Sequence, residues 1–149
     1  QAIMAVKVHA IGRLKRGPET ELVERYTKRL KRLKTTIREL PEGASKEQEG
    51  DALLASLPPQ AFILALDERG EDMASVPFAR LLGDQLDQGR ELAFVIGGAD
   101  GLSDAVRKRA NILLRFGSMT WPHQIVRGLL FEQIYRAETI LLGHPYHRV

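Results

Sequence analysis

The sequence predicts an α/β protein with a mainly parallel β-sheet and helices on both faces. Strand-like and helix-like segments alternate along the whole chain, which is the order that builds such a sheet. Two strand-like segments, residues 61–66 and 91–96, contain a continuous apolar run, as strands covered on both faces do. At 149 residues the chain is long enough for one two-sided core. We therefore expect residues 1–149 to form a single domain.

Residues 1–40 are predicted to form a strand, a helix and a second strand. Residues 5–11 alternate between apolar and polar side chains, which is the period of a half-buried strand. Residues 18–33 carry apolar side chains at helical spacing, with a proline in the first turn and acids ahead of bases along the axis. Residues 35–40 are enriched in β-branched side chains and have the length of a strand.

Residues 41–60 are predicted to be the segment with the least to bury. Residues 41–45 have the composition of a loop, and residues 46–57 show a short helical pattern that ends at Pro58 and Pro59. Because few apolar side chains are available here, we expect this segment to be mobile.

The rest of the chain is predicted to continue the alternation. Ser75 is expected to cap a helix. A shorter helix should follow the glycine turn at residues 97–102 and precede a third apolar strand at residues 111–114. The last helix is predicted over residues 124–142, and its apolar side chains cover more than one narrow stripe. That breadth fits burial against both the sheet and a second subunit, and it equally fits an ordinary core helix.

The charge of the chain is unevenly distributed. Residues 1–40 hold eleven Lys or Arg against four Asp or Glu, a net of +7, and the remaining residues hold eleven against fifteen, a net of −4. The densest cluster lies on the first predicted helix and comprises Arg25, Lys28, Arg29, Lys31 and Arg32. Such a basic region suggests a polyanion as partner, or simply a solvated helix face.

Composition also excludes several classes of site. The chain has no cysteine, which rules out disulfides, thiolate zinc sites and a cysteine nucleophile within this sequence. Its four histidines are too scattered for a metal-ligand motif, so we expect no metal. No apolar run approaches the roughly 20 residues that span a bilayer, and the first residues lack the pattern of a signal peptide. We therefore expect a cytoplasmic protein with no membrane partner.

Function is expected at the turns that follow strands, since ligands of parallel sheets bind beyond the carboxyl ends. Three turns qualify: residues 66–70, 97–102 and 116–121. The pair Gly97-Gly98 fits either a nucleotide-type ligand approached by the backbone or a plain tight turn. It lacks the third glycine of a dinucleotide fingerprint, and no Gly-Lys-Ser/Thr of a phosphate loop follows.

Four motifs in the same order give the sequence a specific resemblance. They are Ile96-Gly97-Gly98, Met119-Thr120-Trp121-Pro122-His123-Gln124-Ile125-Val126-Arg127, Glu132-Gln133-Ile134-Tyr135-Arg136-Ala137 and His144-Pro145-Tyr146-His147-Arg148. With them the chain closely resembles the ribosomal RNA large subunit methyltransferase H family, small enzymes of the SPOUT superfamily. The resemblance implies methylation of N3 of a pseudouridine in helix 69 of bacterial 23S ribosomal RNA. It also implies a C-terminal trefoil knot, a homodimer and S-adenosylmethionine as methyl donor.

The resemblance further implies which residues form the site. The donor should contact Leu66, Gly98, Phe116, Gly117, Ser118, Met119, Thr120 and Trp121. The tail should lie in the active site, partly against the partner subunit, with His144, Tyr146, His147 and Arg148 positioning the substrate. Trp121 and the pair Ala99-Asp100 depart mildly from the family pattern.

The residue types of the tail leave several roles open. His144 or His147 is a candidate base for removing the imide proton, because histidine titrates near neutrality, and each is equally well explained as a solvated tail residue. Tyr146 suits stacking on a base, and Arg148 suits a phosphate or the imide oxygen. His123 and Arg127 share one helix face, where they would orient the preceding loop or contact substrate.

Three functions are therefore considered. The first is a donor-dependent methyltransferase that acts on ribosomal RNA, on a free strand, a subunit or the assembled ribosome. The second is a non-catalytic RNA- or ribosome-binding module based on the basic N-terminal region. The third is a doubly wound nucleotide-using enzyme, which the missing phosphate motif disfavours.

Overall fold

The computed structural model describes residues 4–148, which form a five-stranded sheet and five α-helices. The strands are β1 (Met4–Ile11), β2 (Leu33–Leu40), β3 (Phe62–Asp72), β4 (Leu92–Ile96) and β5 (Ile112–Arg115). The helices are α1 (Pro18–Arg29), α2 (Lys46–Ser56), α3 (Ser75–Asp87), α4 (Asp104–Arg109) and α5 (His123–Leu142). Within this part of the chain, no helix is both long and apolar enough to cross a membrane.

The five strands form one parallel sheet in the order β2-β1-β4-β3-β5. The predicted α/β class with a mainly parallel sheet is confirmed. Strand β4 is inserted between β1 and β3, so the strand order reverses there, and such a reversal opens a crevice at the carboxyl ends of the strands. The trefoil knot stays a prediction, because strand order and pairing do not define how the chain is threaded.

Helices cover both faces of the sheet, as predicted. On one face α5 packs between α1 and α3, and its residues Leu130, Phe131 and Ile134 join alternate residues of the central strands in the larger core. On the other face α2 packs against α4 over the opposite side chains of the same strands. Side chains alternate between the faces of a strand, so the continuous apolar runs of β3 and β4 serve both cores.

Strand β3 is longer than the sequence predicts. We expected a strand over residues 61–66 and then a turn, whereas β3 runs to Asp72. Its pairing with β5 shifts register between Leu66 and Glu71, so the expected turn is a bulge inside the strand. Gly70 permits the close crossing that results, because a Cβ there would lie 2.6 Å from the backbone nitrogen of Leu114. Sequence alternation cannot reveal a bulge that depends on the neighbouring strand.

Helix α1 ends earlier than predicted because a distant carboxylate holds the next turn. The helix stops at Arg29, and Leu30 is extended. Glu138 of α5 is buried, and its carboxylate accepts hydrogen bonds from the backbone N–H groups of Lys31, Arg32 and Leu33 at 2.5–3.0 Å. These amides would otherwise be free, so the contact fixes where β2 begins.

Two further expectations are wrong: the small buried surface of residues 41–60 and the capping role of Ser75. The mobility of residues 41–60 stays a prediction. Residues 41–60 do bury side chains: Leu53 and Leu57 lie in the second core, and Gly50 packs so closely on α4 that a Cβ would lie 2.2 Å from Ser103 Oγ. Ser75 does not cap α3, since Ala74 occupies the cap position and Ser75 is the first helical residue. The Ser75 hydroxyl instead donates to Gln133 of α5 at 2.8 Å.

Candidate active site

The three turns that follow β3, β4 and β5 line a single cavity of about 730 Å³. The apolar part of the wall comprises Leu66, Ile96, Leu102, Leu114, Phe116, Met119, Trp121 and Val126. The remaining wall is polar side chains and the backbone of the glycine turn. A cavity of this size that combines an apolar wall with polar side chains and backbone groups fits a small-molecule site.

The bulge of β3 around Asp67 forms the first wall of the cavity, and an ion pair holds it in place. The side chain of Asp67, 4% exposed, accepts from Arg107 Nε at 2.7 Å and from the backbone N–H of Arg69 at 2.7 Å. Arg107 also donates to Asp104 at 2.7 Å. The hydrogen bond to Asp67 is the main cause of a raised pKa for Arg107, which therefore stays a cation. The start of α4 and the bulge of β3 are joined rigidly in this way.

The glycine turn forms the second wall and is tightly closed. The N–H of Gly101 donates to the carbonyl of Gly98 at 3.1 Å, and Gly101 has a positive φ of 81°. A Cβ on Gly97 would lie 2.7 Å from the carbonyl oxygen of Gly101, so no side chain fits there. Beneath the turn, the buried Glu49 carboxylate lies 3.2 Å from where a Cβ of Gly98 would stand.

Gly97→Ala is expected to open this turn and to weaken binding of the methyl donor that the family resemblance implies by at least about tenfold. The added methyl group meets backbone rather than a flexible side chain, so residues 97–101 must shift by several tenths of an ångström. Titration calorimetry with S-adenosylhomocysteine measures the effect. Gly83→Ala is the control, because Gly83 lies in α3 outside the cavity wall, has no positive φ, and an added Cβ meets only the side-chain end of the exposed Leu141. Equal donor affinity in Gly97→Ala and the unsubstituted chain would show that the turn does not form the site.

The third wall is the loop between β5 and α5. Trp121 Nε1 donates to the carbonyl of Phe116 at 2.9 Å, which closes the loop on itself. Gly117 has a positive φ of 90°, which an L side chain rarely adopts. Met119 is 78% exposed and Trp121 is 45% exposed. Large apolar side chains so exposed at a cavity rim indicate that a ligand or partner covers them.

The residues predicted to contact the donor divide into two groups. Seven of them line the cavity: Leu66, Gly98, Phe116, Gly117, Met119, Thr120 and Trp121. Ser118 is exposed and lies outside the lining. The convergence of three separate segments follows from the parallel sheet, and their role in holding a donor stays a prediction.

The tail lies elsewhere on the same chain. Tyr146 packs edge-on against Tyr135 with ring centroids 4.8 Å apart, beneath the guanidinium of Arg136 at 4.8 Å. Its hydroxyl donates to Glu132 at 3.0 Å, and Arg136 lies 3.4 Å from His147 Nδ1. We call Glu132, Tyr135, Arg136, Tyr146 and His147 the tail cluster. None of the tail residues 144–148 lines the cavity.

Hydrogen bonding defines the proton states available to the tail cluster. Burial and hydrogen bonds with Tyr26 and Glu132 raise the pKa of Tyr146 well above its ordinary value, so the hydroxyl keeps its proton and acts as a donor. The N–H of Tyr146 donates to His144 Nδ1 at 3.2 Å. Since a guanidinium only donates, the contact with Arg136 makes His147 Nδ1 an acceptor. In both histidines Nε2 is the nitrogen left for other partners.

His123 and Arg127 have different roles despite sharing a helix face. His123 lines the cavity. Arg127 is fully buried, pairs with Glu39 at 2.6 Å and donates to the carbonyls of Ile11 and Gly12 at 3.2 and 2.6 Å. It therefore anchors α5 to the ends of β1 and β2, and direct substrate contact is wrong for this residue. Within residues 4–148 no group of three or more His, Asp or Glu side chains could hold a metal ion.

Sequence reasoning missed four residues around the cavity: Lys46, Arg107 and Arg115, which line it, and Glu49 beneath the glycine turn. A local pattern also marks the start of α2, the helix predicted over residues 46–57, which carries Lys46 and Glu49. Ser45 Oγ accepts from the N–H of Gln48, whose side chain accepts from the N–H of Ala44, and Ser-x-x-Gln is the spacing of a capping box. No local pattern could have paired Arg107 with Asp67.

Residues 4–147 match a family model described as predicted SPOUT methyltransferase. The chain belongs to this SPOUT methyltransferase family. Three relatives are each named ribosomal RNA large subunit methyltransferase H, and each alignment covers 97% of this chain and 99% of the relative. The chain is 52% identical to the protein of Rhodospirillum centenum, 50% to that of Paramagnetospirillum magneticum and 47% to that of Bradyrhizobium diazoefficiens.

Membership of the SPOUT family confirms the resemblance and decides between the functions considered. The chain is a methyltransferase, so the non-catalytic module is wrong. Among solved structures, the SpoU methyltransferase AviRb from Streptomyces viridochromogenes, crystallised with AdoMet, matches with a TM-score of 0.50 at 13% identity. The match covers 93% of this chain and 59% of that one. At this identity the match supports the SPOUT fold alone.

Proposed function

We propose that this SPOUT methyltransferase transfers a methyl group from S-adenosylmethionine to N3 of a pseudouridine in helix 69 of bacterial 23S ribosomal RNA. One observation carries the proposal: three strand-end segments line one cavity in a chain about half identical to methyltransferases named for large-subunit ribosomal RNA. With a ribosomal substrate, the enzyme would act in the cytoplasm. The whole chain would act as one methyltransferase domain.

The cavity fits the donor in size and chemistry. Its volume of about 730 Å³ lies within the range of cofactor sites. Leu66, Ile96 and Val126 offer an apolar surface for the adenine ring of the donor. The glycine turn exposes backbone groups that can bond to the polar groups of the donor. Bound there, S-adenosylmethionine supplies an electrophilic methyl group on a sulfonium sulfur.

The residues of the chain contribute position and exclusion of water rather than strong acid or base chemistry. Charge disperses when a cationic donor meets an anionic nitrogen, so an apolar enclosure favours the transfer, provided that the reactants are held in line. Met119 and Trp121 at the rim would close over a bound donor. Removal of the imide proton falls to solvent, or to His144 or His147 once its Nδ1 has left the hydrogen bond that it accepts within the tail.

We further propose that the enzyme is a homodimer in which the tail of one subunit completes the cavity of the other. Along α5, the tail cluster lies about 9–20 Å from the cavity residues Val126 and His123. The tail packs against its own helix there, and this position supports presentation of the tail to the cavity by a second subunit. Exposed Met119 and Trp121 offer an apolar surface for that contact.

A methyl-transfer assay with labelled donor tests the proposed function. The purified enzyme should label large-subunit ribosomal RNA within ribosomal particles, and mass spectrometry should place the methyl group on N3 of one helix 69 pseudouridine. Calorimetry should show one donor site per chain. Donor binding accompanied by labelling of another nucleotide would contradict the substrate but not the enzyme class, and absence of donor binding would contradict both.

A further inference from the structure

One face of the sheet is uncovered over β1 and β2. On that face Ala5, Lys7, Lys34, Thr36 and Arg38 are all exposed, and we call these five residues the open face. The helices of that layer lie further along: Leu53 of α2 and Val106 of α4 pack over β3 and β4 and over the last residue of β1. The uncovered area is therefore bare strand surface rather than a loop.

The open face is basic and carries no acidic side chain. Lys7 pairs in register with Thr36, and Lys34 and Arg38 flank Thr36 at two residues on either side. Their Cα atoms therefore lie about 7–8 Å from that of Lys7. Lys34 donates to the carbonyl of Leu30 at 3.0 Å, and none of the three cations forms an ion pair within residues 4–148.

Two of these cations, Lys7 and Arg38, also act on the buried side chain of His9. His9 follows Lys7 on the same face of β1, where it pairs with Arg38 in register and its Nδ1 lies 2.9 Å from Ser56 Oγ. Burial lowers the pKa of His9, and the charges of Arg38 and Lys7 lower it further. The side chains of Lys7 and Arg38 therefore lie close enough to His9 for their positive charges to disfavour its protonation.

Protection of a sheet edge does not account for these cations. Lysine on an edge strand prevents edge-to-edge pairing, and β2 is an edge strand. Lys7 lies on β1, which is hydrogen-bonded on both sides by β2 and β4. Lys7 projects from the face of an inner strand, so it cannot protect an edge. Its positive charge therefore indicates an anionic partner.

We propose that the open face binds backbone phosphates of the ribosomal RNA outside the nucleotide that is methylated. The proposal rests on the proposed function, which supplies the RNA. Small Ala5 and Thr36 between the cations leave room for a phosphate backbone to approach, and each phosphate neutralised releases counterions. Position fits as well: Arg38 is level with Val95, one residue before the cavity residue Ile96, at about 10 Å across two strand spacings. One RNA can therefore reach both surfaces.

The double variant Lys7→Gln/Arg38→Gln tests the proposal in the full enzyme. Loss of two phosphate contacts should raise KM for ribosomal particles roughly 10- to 30-fold near 0.15 M salt and reduce the slope of log affinity against log salt by about 1.4–1.8. The value of kcat at saturating substrate, the donor affinity and the unfolding midpoint should stay unchanged. Arg80→Gln/Lys108→Gln is the matched control, since both residues are exposed, lack ion pairs within residues 4–148 and remove the same charge.

Three results would overturn the open-face proposal. The first is an unchanged KM and salt slope in Lys7→Gln/Arg38→Gln. The second is an equal loss in the control variant, which would assign the effect to net charge. The third is weaker binding to ribosomal particles with unchanged binding to protein-free 23S RNA, which would identify a ribosomal protein as the partner. Failure of the proposed function is distinct, because the unsubstituted enzyme would then bind donor and methylate no ribosomal RNA.

Discussion

Deletion of residues 144–149 is expected to lower the rate of methyl transfer by at least about 100-fold while leaving donor affinity unchanged. The described tail residues lie outside the cavity of their own chain, so the donor site stays intact without them. The substrate base, by contrast, loses the aromatic and polar side chains that would hold it in line. Single-turnover transfer and calorimetry with S-adenosylhomocysteine separate the two effects.

Mixed dimers give the sharper form of this experiment. When the tail-deleted chain is mixed with Gly97→Ala at a donor concentration below the dissociation constant of Gly97→Ala, each homodimer should transfer slowly, whereas the heterodimer combines one intact cavity with the tail of the other chain. Restored transfer therefore requires a tail that acts across the dimer. The matched control mixes the tail-deleted chain with a chain that carries both changes, since that pair offers no tail to the intact cavity. A mixture as inactive as its components would refute the shared site.

Arg127→Met is expected to destabilise the fold by about 3 kcal/mol, and to lower the unfolding midpoint by roughly 6–12 °C. The guanidinium is fully buried and bonds Glu39 together with two backbone carbonyls. Removal of one partner of a buried ion pair costs about 3–5 kcal/mol of stability. The lower end of that range applies here, because the side chain of Glu39 is 36% exposed and can be hydrated when Arg127 is absent. Thermal and urea unfolding measure the loss.

The pH dependence of the stability lost in Arg127→Met tests how much the ion pair between Arg127 and Glu39 contributes. Burial raises the pKa of Glu39, but hydrogen bonds from the Leu14 N–H and from Arg127 outweigh it, so the pKa lies below its ordinary value of 4.5. The ionised carboxylate therefore stabilises the fold above pH 4.5, and this contribution disappears as the pH falls through the lowered pKa. The stability gap between the unsubstituted chain and Arg127→Met should narrow below pH 4.5. An equal gap at pH 7 and pH 3 would show that the carbonyl bonds alone matter, and Arg80→Met should produce no gap.

Local patterns predicted the elements well where side chains repeat over a few residues. The alternation in residues 5–11 and the spacing in residues 124–142 identified β1 and α5 almost to the residue. The three strand-end turns were found for the same reason, because a parallel sheet places all carboxyl ends at one edge. Where an element depended on a neighbour, prediction failed: β3 continues because it pairs with β5 through a register shift.

By itself, the sequence determined the α/β class, the segments that meet at the cavity and, through its motifs, the methyltransferase family. The tertiary structure alone decided the partners of the buried charges and the position of the tail. Arg127 and Glu39 are 88 residues apart, and Glu138 reaches amides 105–107 residues away. The physical reason is one of range: hydrophobic period and turn chemistry act within a few residues, whereas a buried charge must find its partner wherever the fold brings one.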